Sequence, residues 1–106
     1  MKFGVQHVGD AAVVTASGEL DLEHADRLRD CLTEILATRP RLLVIDLSAA
    51  TFVDSTILGV LVGARNRLEG IRLVASHPGV LKPFRLTGLD EVFTIRATLR
   101  DALPPV

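Results

Sequence analysis

The run Leu42-Leu-Val-Ile-Asp-Leu47 is the feature that most limits what this chain can become. It is short, rich in branched residues and almost free of polar interruption. A strand wetted on one face alternates apolar and polar residues, whereas a strand buried on both faces reads as a near-continuous apolar run. The run therefore predicts a central strand covered on both sides. Over 106 residues there is room for one modest domain and not two, so residues 1–106 are expected to share one core.

The flanking pattern says what covers the strand. Phe3 to Val8 and Ala11 to Ala16 read as a strand pair joined at Gly9-Asp10, with Gly18 ending the second. Asp21 is an N-cap and Glu23 an acidic residue in the first turn of a helix, where negative charge suits the dipole. Ala25, Leu28, Leu32, Ile35 and Leu36 mark one face of that helix to about Thr38, and Arg39-Pro40 stops it. After the apolar run, Ser48 to Phe52 reads as a loop. A second helix follows from Ser55 or Thr56 to about Leu68, then a strand from Ile71 to Ala75. Pro78 to Leu86 reads as a short helix that Pro83 keeps from being long. Val92 to Ile95 reads as a last strand, and Thr98 to Leu103 as a helical turn. Strands alternating with helices predict helices packed on a mixed sheet, an α/β or α+β layer fold. The expected core is Leu28, Leu32, Ile35, Leu43, Ile45, Leu61 and Leu73.

Several function classes are disfavoured by what is missing. Net charge is -1 with Lys and Arg scattered, so there is no basic footprint for nucleic acid. No apolar stretch nears the roughly 18 residues of a membrane span, and the N-terminal ten residues do not read as a signal peptide. The single cysteine, Cys31, has no partner for an internal disulfide and reads as a small hydrophobe. These features lead us to expect a cytoplasmic protein. His7, His24 and His77 lack ligand spacing, and the single carboxylates Asp21, Asp46 and Asp54 lack a metal-site companion set. No metal, cofactor or catalytic constellation is expected. There is no GxxxxGK loop for a nucleotide.

The second helix is unusual. At about 100° per residue, Ile57, Leu61, Ala64 and Leu68 cluster on one side. Gly59, Val62, Gly63 and Asn66 lie opposite, and the first two turns carry no charge on any face. A surface helix ordinarily sets charge against its core stripe. The uncharged outer face reads either as covered by another element or as a docking surface for a protein partner. Ser55 stands where the helix begins. It reads as an N-cap, and also as a phosphoacceptor whose phosphate would meet free backbone N–H groups.

The motifs Leu43-Val-Ile-Asp-Leu-Ser48, Phe52-Val-Asp-Ser-Thr56 and Leu58-Gly-Val-Leu61 resemble those of STAS-domain anti-sigma factor antagonists. Gly18-Glu-Leu-Asp21 and Leu86-Thr-Gly-Leu-Asp-Glu-Val-Phe93 resemble the family's segments before its first helix and near its C-terminus. The resemblance implies the STAS fold, a small mixed sheet of about four or five strands with helices mostly on one face. It implies partner switching: the unphosphorylated antagonist binds an anti-sigma factor that is also a serine kinase, and so frees a sigma factor. Phosphorylation of the serine after the aspartate, here Ser55 with Thr56 second to it, ends the complex, and a phosphatase resets it. Asp21 and Asp54 carry over as partner contacts. With Ser55, Thr56, Gly59, Val62, Gly63 and Asn66 they form the expected partner-binding set. The chain departs from the family at Ile57, where glycine is usual, and in a shorter stretch from Gly59 to the next strand. The alternative within the same fold is a non-switching subunit of a transporter or scaffold complex. A phosphoacceptor receiver domain, with Asp46 as acceptor, fits poorly because Glu19 and Asp21 are spaced wrongly for its acidic pair.

Overall fold

Strands β1 (Lys2–Val8) and β2 (Ala11–Leu20) form an antiparallel hairpin that turns at Gly9, which takes φ of 60°. The computed structural model describes residues 2–104. Helix α1 (Leu22–Ala37) leads to β3 (Leu42–Asp46), which lies parallel to β2. Next come β4 (Ala50–Val53), α2 (Ser55–Arg67) and β5 (Ile71–Val74). The chain continues through α3 (Pro78–Leu86), β6 (Thr94–Arg96) and α4 (Leu99–Ala102). The sheet runs β1-β2-β3-β5-β6, with β4 paired to the far end of β2. Every pairing except the β1–β2 hairpin is parallel.

The apolar run is indeed buried on both faces. Leu43 and Ile45 point into the larger core with Leu28, Leu32, Ile35, Leu61 and Leu73, beneath α1, α2 and α3. Val44 points the other way, into a smaller cluster with Val13, Val74 and Ala102. Helix α4 closes that face, where the Ala102 carbonyl accepts from Arg72 Nη1 at 2.8 Å. All seven expected core residues are buried. Alternation of side chains along each strand thus divides the interior between three helices on one face and one short helix on the other.

Four expectations are corrected. Gly18 does not end β2. It adopts φ of 84°, the left-handed conformation that glycine takes without steric cost, and the register shifts there. The strand bends at this bulge and continues to Leu20. The segment from Ser48 to Phe52 is not all loop, because Ala50–Val53 pairs with that bent end of β2. The sheet consequently has six strands rather than four or five. The last strand is Thr94–Arg96 rather than Val92 to Ile95, since Phe93 turns inward to meet Phe84 edge to face, with centroids 5.8 Å apart. Helix α3 has the expected bounds and is short, with Pro83 inside it. There it forfeits one hydrogen bond, to the carbonyl four residues back, and a nine-residue helix held by buried Val80 and Phe84 tolerates that loss.

Candidate functional site

The site is assembled by the pairing of β2 with β4. Leu20 stands beside Val53 in parallel register, and the Asp54 N–H donates to the Leu20 carbonyl at 3.2 Å. The next residues along the two strands, Asp21 and Asp54, therefore leave the sheet side by side. Each at once caps a helix. Asp21 Oδ1 accepts from the Glu23 N–H at 3.1 Å, and Asp54 Oδ1 from the Ile57 N–H at 3.0 Å. Two helices thus start together, with their N–H-rich ends open to the same side.

This geometry corrects the reading of Ser55 as a cap. Asp54 holds the capping position and Ser55 is the first residue of α2, exposed to solvent. Ile57, fully buried, anchors the turn to the core. Successive turns of α2 place Ser55, Gly59, Val62 and Asn66 along one outward stripe. Ser55, Gly59 and Asn66 are exposed and Val62 is half-buried. Thr56 and Gly63 lie to the side of that stripe nearer α1, Thr56 half-buried and Gly63 exposed. All eight residues of the expected set therefore belong to the two adjoining helix starts and one helix face. Asp54 is the only charged residue between Ala50 and Ala64.

The structure adds residues that periodicity did not single out. Phe52, 43% exposed, precedes Asp54 on β4, and Leu22, 69% exposed, is the first residue of α1. A large apolar side chain that no core position claims was the available signal for both. His24 Nδ1 comes within 2.9 Å of the Asp21 carboxylate, close enough to pair, though not aligned as a hydrogen bond. Asp21, Glu23 and His24 bring one donor atom each within 4.8 Å of the others. All three sit in one accessible first turn and the Asp21 carboxylate is already engaged in capping, which is the ordinary disposition of such groups. Cys31 is half-buried on α1, and burial, aided by the Glu34 carboxylate, pushes its thiol pKa up. That favours the inert thiol over the reactive thiolate.

The fold and its site define a small α/β binding module that presents a hydroxyl at a helix start and an uncharged helix face. The STAS domain family profile matches residues 2–102, and the chain belongs to that family. The anti-sigma-F factor antagonist RsfB of Mycobacterium tuberculosis is 37% identical over 98 residues, covering 90% of this chain and 80% of that protein. The crystal structure of an anti-sigma factor antagonist from Mycobacterium paratuberculosis superimposes with a TM-score of 0.91 at 36% identity, covering 95% of this chain and 89% of the other. The anti-sigma factor antagonist SpoIIAA in its unphosphorylated form superimposes with a TM-score of 0.79 at 25% identity, covering 95% and 92%. Among the described residues no helix is long and apolar enough to cross a membrane.

Proposed function

We propose that this chain is an anti-sigma factor antagonist of the partner-switching kind. Unphosphorylated, it binds an anti-sigma factor that doubles as a serine kinase and so frees a sigma factor. Transfer of a phosphoryl group to Ser55 ends the complex, and a phosphatase restores it. The domain contributes the nucleophilic hydroxyl, while ATP, metal and base belong to the kinase. It performs no catalysis of its own.

One observation carries this reading. The capping bond falls to Asp54, which leaves the exposed Ser55 hydroxyl free of structural duty at the head of an uncharged helix face. A phosphate on Ser55 adds roughly 1.5–2 negative charges. Within this domain the helix N-terminus favours that charge. Within a complex it is pressed beside the Asp54 carboxylate and stripped of water. One like-charge contact near 4 Å costs about 1 kcal/mol in water and about 4 at an effective dielectric of 20, so affinity should fall roughly ten- to a thousandfold. Ile57, one of the two departures behind the non-switching alternative, is fully buried and so takes no part in the outer face.

The test joins phosphosite mapping to affinity measurement with a purified anti-sigma factor from the same genome. One phosphate is expected, on Ser55. Ser55→Ala should bind and stay bound in the presence of ATP, and Ser55→Asp should bind poorly. Phosphate on Thr56 alone, or equal affinity of the two variants, would overturn the assignment.

A further inference from the structure

We propose that the groove between α1 and α2 receives a single α-helix of the anti-sigma factor, laid on Gly59 and Gly63, gripped at one end by Leu22 and ion-paired at the other to Arg67. This inference rests on the functional reading above and names the element that docks.

The groove encloses about 230 Å³, with Arg29, Thr33 and Leu36 of α1 on one wall and Gly59, Gly63 and Arg67 of α2 on the other. Internal packing does not explain its two glycines. A Cβ placed on either meets no atom within 4 Å, and glycine inside a helix is less stable than alanine. Gly70 and Gly79 behave differently, because a Cβ there would strike the backbone of Arg41 and Thr51. The fold thus requires glycine at those two positions and not at Gly59 or Gly63. What the bare backbone offers is close approach from outside. Helix axes ordinarily pack about 8–10 Å apart, and two glycines one turn apart on the α2 wall let a ridge of side chains sit deeper.

Two further observations specify the occupant. Leu22 lies seven and fourteen residues before Arg29 and Leu36, hence on the same stripe of α1, and it stands 69% exposed in the first turn of α1, beyond the residues that line the groove. Charge is also graded along the groove. The mouth carries Glu19, Asp21, Glu23 and Asp54 with no Lys or Arg from Ala16 to Asp26 or from Ala50 to Ala64. Arg29 lies midway along α1, and the far end of α2 carries Arg67. Arg29 is held by Asp26 at 2.6 Å, whereas Arg67 is exposed and pairs with no acid among the described residues. The complement is a helix that is basic near the mouth, apolar along its middle and acidic opposite Arg67, docking as helices do in apolar grooves. A second copy of this chain fits less well. It would bring glycine against glycine, one hollow facing another, and leave the groove unfilled.

The experiment measures melting temperature and affinity for the same purified anti-sigma factor. Gly59→Ala and Gly63→Ala should each raise the melting temperature of the free chain and yet weaken the complex at least tenfold. Leu22→Ala and Arg67→Glu should weaken it comparably with melting unchanged. Arg67→Lys and Leu86→Ala, the latter at an exposed apolar residue on α3, should bind like the wild type. If the alanine variants bind within twofold of wild type, the groove is not the seat. A free chain that sediments as a dimer, dissociated by Gly63→Ala, would likewise give the groove to a second copy and overturn the proposal. Failure of the wild-type chain to bind at all would instead overturn the functional reading, and this inference with it.

Discussion

Asp54 and Ser55 divide two tasks that a helix start sets for a sequence. The free N–H groups of the first turn need an acceptor, and a switch needs a hydroxyl that no structural bond has claimed. Both residue types cap helices well, so the sequence Val53-Asp-Ser-Thr56 leaves open which residue caps. Geometry decides for Asp54 through its contact with the Ile57 N–H. Asp54→Ala should therefore cost about 0.5–2 kcal/mol, while Ser55→Ala should stay within about 0.5 kcal/mol of wild type. Urea titration of both variants checks this, and the reverse order would return the cap to Ser55. Ile57 gives a second test at this scale. Its side chain is fully buried, so the position at which the family resemblance leads one to expect glycine is here part of the core. Ile57→Gly loses that burial, worth about 2–5 kcal/mol as truncations of buried aliphatics go, and about 1 kcal/mol more in helix propensity. A variant as stable as the wild type would mean that Ile57 is strained where it sits.

Helix α2 was legible as an element before its surroundings were. Its core side, Ile57, Leu61 and Ala64, followed from spacing alone and is buried, whereas Leu68, expected with them, is the half-buried C-cap. Whether another element covers its far side did not follow, because coverage belongs to tertiary structure. The fold leaves Gly59, Gly63 and Asn66 exposed. Val62→Lys should consequently cost only about 1 kcal/mol of stability, through loss of a half-buried side chain. It should weaken partner binding at least tenfold, about 1.4 kcal/mol, read by calorimetry against a parallel melt. Normal binding would move the docking surface off this stripe. Strand β4 was illegible for a related reason. Ala50-Thr-Phe-Val53 is only four residues long and pairs with β2 only beyond the bend at Gly18. A glycine reads locally as an end, and only the pairing of distant segments turns it into a bulge. The same oversight hid Phe52, whose exposure has meaning only once its strand is known. Leu43, Ile45 and Val44, by contrast, betrayed a doubly covered strand because burial on both faces leaves no polar alternation to misread.

At the scale of the whole molecule, the parallel sheet sets where the proposed switch can be. The strands β2, β4, β5 and β6 each run into a helix, α1, α2, α3 and α4 respectively, and their parallel pairing gathers those helix starts at one end of the sheet. The core lies behind that end, in the layers between helices and strands. A modification at the first residue of α2 therefore adds charge outside the packed interior. It displaces no buried side chain, and the Asp54 cap beneath it stays in place. The helix dipole contributes about 0.3–1 kcal/mol in favour of the added charge, and the neighbouring Asp54 carboxylate opposes it by a similar amount in water. The chain phosphorylated on Ser55 should accordingly unfold within about 1 kcal/mol of the unmodified chain, even as its complex weakens by roughly ten- to a thousandfold. Stoichiometrically phosphorylated protein, compared with unmodified protein by thermal denaturation and by calorimetric titration with the anti-sigma factor, separates the two effects. A loss of several kcal/mol in the free domain would show that the phosphate acts by unfolding α2 rather than by repelling the partner. Stability near wild type together with weak binding would place the switch in the interface alone.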